Sequence, residues 1–137
     1  MAITFQNRNF TFRLTSKALL KAWIKKVVEA EKKESGQINF VFTSDEELVE
    51  VNKQYLKHNT YTDIITFDYC EGKTVSGDIL ISIERVRENA VKFVVPFELE
   101  LKRVMIHGVL HLCGYGDKSK KQALVMRKKE NEALRKF

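Results

Sequence analysis

A single proline, two cysteines and six glycines in 137 residues leave little material for flexible linkers, tandem small modules or a disulfide framework. No apolar run approaches the roughly 20 residues that a membrane-spanning helix needs. The opening Met-Ala-Ile-Thr-Phe-Gln-Asn-Arg lacks the charged-then-apolar layout of a secretory signal. These absences predict a single domain over residues 1–137, placed in the cytoplasm, with Cys70 and Cys113 as free thiols. What is present suits a packed core, since 44% of the residues are hydrophobic and nine are phenylalanine. Charge of one sign is also missing from most of the chain. Residues 1–117 hold 16 Lys/Arg against 16 Asp/Glu, so the net +6 lies entirely in residues 118–137. There Lys118, Lys120, Lys121, Arg127, Lys128, Lys129, Arg135 and Lys136 face only Glu130 and Glu132. Such a segment is either a solvated helix face or a cationic element for a polyanion such as RNA.

Hydrophobic spacing divides the chain into strands and helices. Ile3, Phe5, Phe10 and Phe12 interleave with polar residues and predict an edge strand over residues 2–12. Leu19, Leu20, Trp23, Ile24, Val27 and Val28 recur at helical spacing after Ser16, predicting an amphipathic helix that ends at Ser35–Gly36. Ile38, Phe40 and Phe42 alternate as in a strand. Ser44 and Glu47 then open a helix with Leu48, Val51 and Tyr55 inward, running out near Lys57-His58-Asn59. Residues 62–69 and 77–82 read as an antiparallel pair with a long connection, residues 82–93 as a short helix, and a further helix starts with Pro96 in its first turn and reaches Cys113. Ser119 and Gln122 form a capping-box pattern for a final basic helix, whose expected buried side is Ala123, Met126, Ala133, Leu134 and Phe137. The predicted class is α+β, a small mixed sheet of about four strands with about five helices.

Chemistry concentrates in one string, His107-Gly-Val-Leu-His-Leu-Cys-Gly-Tyr-Gly-Asp117. His107 and His111, four apart, share one helix face. Gly114 and Gly116 let the chain reverse and return Asp117 toward that face. Three protein ligands with an open coordination position are the layout of a catalytic zinc site, at the C-terminal end of a central helix. Cys113, two residues past His111, points away from the ligand face and reads as a small buried residue. Zinc peptidases of the H-E-x-x-H type carry a glutamate where this chain has Gly108, which weakens a peptidase reading. Gly108 either leaves an open surface beside the metal or lets the helix approach the sheet closely.

This string resembles the signature H-G-x-L-H-L-x-G-Y-D-H of the YbeY family of bacterial endoribonucleases. Thr62-Asp63-Ile64-Ile65-Thr66-Phe67 and Gly77-Asp78-Ile79-Leu80-Ile81-Ser82 resemble the family stretches T-D-V-L-S-F and G-D-I-x-I-S, in family order. The resemblance implies a single-strand-specific, metal-dependent endoribonuclease acting in 16S ribosomal RNA maturation and ribosome quality control, with ribosomal RNA and the small ribosomal subunit as partners. It places the metal on His107, His111 and Asp117, the last standing where the family has a third histidine. One zinc per chain is the first expectation, and the carboxylate widens the choice toward manganese or magnesium. Leu56 stands where family members usually carry an arginine, so Lys57 or His58 is a candidate for the missing cation, and Lys120, Lys121, Lys128 and Lys129 for the RNA backbone. Both departures also fit a second class, a ribosome-assembly factor with a bound metal and weak or absent nuclease activity.

Overall fold

The structure, a computed structural model, describes residues 2–56 and 62–137, with Tyr55 and Leu56 described by their backbone alone. Among these residues the chain forms strand β1 (Ile3–Asn7), helix α1 (Lys17–Ala30), strand β2 (Glu34–Thr43), helix α2 (Asp45–Val51) continued by one π-helical turn (Asn52–Leu56), strands β3 (Ile64–Asp68) and β4 (Thr74–Ser82), and helices α3 (Ile83–Phe93), α4 (Phe97–Leu112) and α5 (Lys120–Arg135). The four strands make one mixed sheet in the order β1-β2-β4-β3, with β1/β2 and β2/β4 parallel and β3/β4 antiparallel. The α+β class is therefore as expected. No helix among the described residues is long and apolar enough to cross a membrane.

The period-two alternation of β2 and β4 sorts their side chains onto two faces. Ile38, Phe40, Phe42, Ile79 and Ile81 face the larger core, which α1 and α4 close with Trp23, Ile24, Val28, Met105, Ile106 and Val109. Val41 and Leu80 face the other way, onto Leu48 and Val51 of α2 and Ile65 of β3. The helices thus lie on both faces of the sheet, and the helix carrying the histidine pair belongs to the thicker layer. Trp23 Nε1 donates to the carbonyl of Ala133 at 2.8 Å, which ties the end of α5 to α1.

Several element boundaries differ from the sequence expectations, each for a non-local reason. β1 stops at Asn7, because Asn9 takes a left-handed conformation (φ 52°) and the Asn7 side chain donates to the Phe12 carbonyl. Phe12 still packs edge-on against Phe42 and Phe97. α1 ends at Ala30 and not at Ser35–Gly36, since Lys32 turns the chain (φ 60°) and Glu34–Ser35 are captured as strand by pairing with Thr74–Val75. The same pairing starts β4 at Thr74 and shortens the β3–β4 connection, where Glu71 and Thr74 bridge across Gly72. Pro96 occupies the N-cap of α4 and not its first turn. Ser16 is left-handed and caps nothing with its side chain, whereas Ser44 and Ser119 accept from the backbone N–H groups of Glu47 and Gln122 as their patterns predict. The expected end of the second helix near Lys57-His58-Asn59 lies outside the described residues.

Gly108 is where the helix–sheet spacing is set. A Cβ there would lie 2.9 Å from Ile64 Cδ1 and 2.9 Å from Ile79 Cγ2, so the glycine serves close approach of α4 to the sheet and does not open a surface beside the histidines. Gly108→Ala is expected to destabilise the protein by about 1–3 kcal/mol through overpacking. The readout is a lower urea midpoint at unchanged slope.

Candidate metal centre

α4 places His107 and His111 one turn apart on one face, their rings 4.5 Å apart. Gly114 (φ +109°) ends the helix in a conformation that L side chains rarely adopt, with its N–H on the His111 carbonyl and the Tyr115 N–H on the Leu110 carbonyl. The chain then doubles back, and Asp117 Oδ2 sits 3.3 Å from Nε2 of His107 and 3.3 Å from Nε2 of His111. One ligand atom from each of the three residues lies within 4.8 Å of the others. The expected set is thus gathered at one point.

The outer nitrogens decide what the inner ones can do. His111 Nδ1 is 2.8 Å from the carbonyl oxygen of Tyr115, an obligate acceptor, so Nδ1 carries the proton and donates. His107 Nδ1 is 2.7 Å from Oε2 of Glu130 and donates to that carboxylate. Both Nε2 atoms are left with a lone pair directed at the same point as the Asp117 carboxylate. Two neutral imidazoles and one carboxylate, with oriented tautomers, are a donor set that fits a divalent ion. Cys113 takes no part. Its sulfur is not among the clustered ligand atoms, and burial pushes its thiol up to about 12. Both cysteines are free.

Glu130 is the functional residue that sequence reasoning missed. It is only 5% exposed, and its other oxygen accepts from Arg103 Nη1 at 3.0 Å. Burial opposes its charge, but the hydrogen bonds from His107 and Arg103 outweigh burial and hold its carboxyl below the ordinary range. For His107, burial works against the charged ring, yet Glu130, Asp117 and Asp63 together hold its pKa above the ordinary value. The signal was present in the spacing. Met126, Glu130 and Ala133 form the buried stripe of α5, so a carboxylate stood on an apolar face, whereas Ala123 and much of Phe137, both expected inside, are exposed.

From His107 and Asp117 a cleft of about 400 Å³ runs between α3, α4 and α5, with Asp63, Asn89, Glu100 and Arg127 on its walls. Asn89 Nδ2 donates to Asp63 Oδ2 at 3.3 Å, and burial pushes the Asp63 carboxyl up despite the pull of His107. Of the residues expected to hold RNA, Lys120 and Lys121 open α5 just beyond Asp117 and are exposed, as is Lys128. Lys129 instead donates to Glu31 Oε2 at 3.3 Å and lies over the Tyr115 ring, while the Tyr115 hydroxyl donates to Glu31 Oε1 at 2.6 Å. It clamps α5 to α1. Lys57 and His58 lie outside the described residues.

Fold and site together define a class of small α+β protein whose central helix carries a His-x-x-x-His pair completed by a residue from the turn beyond it. The profile of the family described as Endoribonuclease YbeY matches residues 3–137. The chain belongs to this YbeY family. It is 53% identical to the Endoribonuclease YbeY of Flavobacterium psychrophilum over 131 residues, which cover 96% of this chain and 94% of that one. It is 48% identical to that of Bacteroides fragilis over 134 residues, covering 98% and 96%. Among solved structures it is similar to the solution structure of TM1509 from Thermotoga maritima, with a TM-score of 0.66 and 29% identity over 97% of this chain and 87% of that one.

Proposed function

We propose that the chain is a metal-dependent endoribonuclease that cuts single-stranded RNA, acting in the cytoplasm in 16S ribosomal RNA maturation and ribosome quality control on the small ribosomal subunit. The observation that carries this reading is the convergence of His107 Nε2, His111 Nε2 and Asp117 Oδ2 beside an open cleft. Three protein ligands leave a coordination position for substrate, unlike a closed structural site. One zinc per chain is the first choice, and the Asp117 oxygen extends the range to manganese and magnesium. A divalent ion held there supplies Lewis-acid polarisation of a phosphate oxygen and of water. The protein's part is orientation: Glu130 and the Tyr115 carbonyl fix the two imidazoles, and the exposed cations at the start of α5 hold the RNA backbone.

The direct test incubates metal-loaded protein with single-stranded ribosomal RNA beside an Asp117→Ala control. Internal cuts that disappear in the variant are expected. Intact RNA with full metal content, joined by co-sedimentation with small ribosomal subunits, would replace the nuclease with an assembly factor. For the backbone contacts, neutralising Lys120, Lys121 and Lys128 together is expected to weaken RNA binding about equally for all sequences. It should also flatten the salt dependence by a slope of about 0.7 per lost contact. Equal affinity and slope would return this face of α5 to solvent.

A further inference from the structure

Among the described residues, no side chain pairs with Glu100. It lies on α4 two turns before His107, is only 5% exposed, and lines the cleft that begins at the metal centre. No hydrogen bond or ion pair reaches its carboxylate among the described residues. Nearby Arg103 is already held by Glu130 at 3.0 Å, and Arg127 stands 3.8 Å from Glu130. Burial, joined by the charge of Asp63, pushes the Glu100 carboxyl above its ordinary value. A buried carboxylate lacking donors is costly. The dipole of α4 does not account for it, since Glu98 in the same turn is exposed and meets that preference without burial. A nearly buried acceptor with no donor from the described residues, lining a cleft beside the metal centre, is matched by donors that a ligand brings.

The rest of the cleft describes that ligand. Ile64, Val104 and Met126 give it apolar walls, and Phe93, 52% exposed, stands at its side as a stacking surface. A flat heteroaromatic ring fits apolar walls and an aromatic face. Arg127, 58% exposed at its side chain, is positioned to meet a phosphate attached to such a ring. A second cation is a poorer match. The only gathering of three or more ligand atoms among the described residues is His107, His111 and Asp117, so Glu100 and Asp63 do not close a cage.

We propose that this cleft is a nucleobase subsite in which Glu100 selects guanine, its two oxygens accepting from the adjacent N1–H and N2–H groups. The inference deepens the RNA reading of the same site and rests on it for the nature of the polymer. Adenine and cytosine each set a ring-nitrogen lone pair beside their amino group, so a carboxylate gains one bond and meets one repulsion. Uracil offers a single N–H flanked by acceptors. Guanine alone presents two neighbouring donors.

The test is binding of 5′-GMP against 5′-AMP to the metal-loaded full chain, followed by NMR shift perturbation, with cut-site mapping on a randomised single-stranded RNA in parallel. Wild-type protein is expected to favour GMP by about tenfold, in keeping with a bidentate base contact. Glu100→Gln, whose amide offers one donor and one acceptor, is expected to reverse the order toward AMP. Glu100→Leu should abolish discrimination while raising the melting temperature, because an unpaired buried charge is gone. Equal affinities in the wild type, or an unchanged ratio in Glu100→Gln, would overturn the subsite. A metal stoichiometry that falls in Glu100→Gln would also overturn it, making Glu100 a ligand to an ion. RNA cut without Glu100-dependent preference defeats this inference and leaves the nuclease standing. GMP preference on a protein that cuts nothing does the reverse.

Discussion

Replacing either His107 or His111 with alanine is expected to lower metal affinity by at least about a hundredfold, and cleavage of single-stranded RNA with it. Each imidazole presents Nε2 to the Asp117 carboxylate at 3.3 Å, and each is locked in that orientation by an acceptor on Nδ1. Disturbing only an outer partner of a metal-ligating histidine typically costs 10–100-fold in affinity, so removing the ligand itself sets that range as a floor. A site reduced to one histidine and one half-exposed carboxylate retains little advantage over the protein surface. The folded state should persist, because both rings are partly exposed and neither belongs to the core. Elemental analysis of the purified variants checks this, and full metal content in both would remove these residues from the site.

The second large effect is expected at Glu130. Its alanine variant leaves Arg103, 21% exposed at its side chain, without its carboxylate and leaves His107 Nδ1 without its acceptor. Breaking a buried ion pair from one side costs about 3–5 kcal/mol, and the partial exposure of Arg103 places this case near 3. For a chain of this length that corresponds to a melting temperature lower by roughly 10 °C. Metal affinity should fall by about 10–100-fold, because the His107 ring loses its fixed tautomer. Glu130→Gln separates the two roles. Its amide oxygen still accepts from His107 Nδ1, so metal affinity should suffer less than in the alanine variant, while the ion pair with Arg103 is lost in both.

The Glu130–His107 pair also gives the metal-free protein a pH signature. The Glu130 carboxyl lies below its ordinary 4.5, so its contribution is present above that value and is lost as pH falls through the lower, folded-state pKa. The His107 ring lies above its ordinary 6.5, so its contribution is present below 6.5 and is lost as pH rises through the higher, folded-state value. Denaturant midpoints across this range, for wild type and Glu130→Gln, report whether the second slope depends on the carboxylate.

Local patterns were readable from the residues, and pairings between distant segments were not. The α1 face of Leu20, Trp23, Ile24, Val27 and Val28 is buried as its spacing predicts, and the Ser119–Gln122 capping box is present in full. Both depend on residues a few positions apart. The early end of α1 and the early start of β4 have one cause, the pairing of Glu34–Ser35 with Thr74–Val75 across 40 residues, which no local window contains. The sheet order β1-β2-β4-β3 is hidden for the same reason. At the site, the His107/His111/Asp117 cluster was legible because a helix and its terminating turn bring it together. Glu130 was not, since counting charges along α5 treated it as one anion in a basic segment. Its burial comes from its position on the Met126–Ala133 stripe. Lys129, expected at the RNA backbone, has a contact that spacing along α5 does not reveal, its ammonium lying 3.3 Å from Glu31 Oε2.

The proposed function makes RNA cleavage depend on an ion held by His107, His111 and Asp117. Its most direct test is the cleavage rate of a single-stranded RNA measured as chelator-stripped protein is titrated back with zinc. The rate is expected to rise in proportion to occupancy and to level off at one ion per chain, with no rise in the Asp117→Ala protein. Full cleavage by the stripped protein, or a rate that climbs equally with and without Asp117, would contradict it.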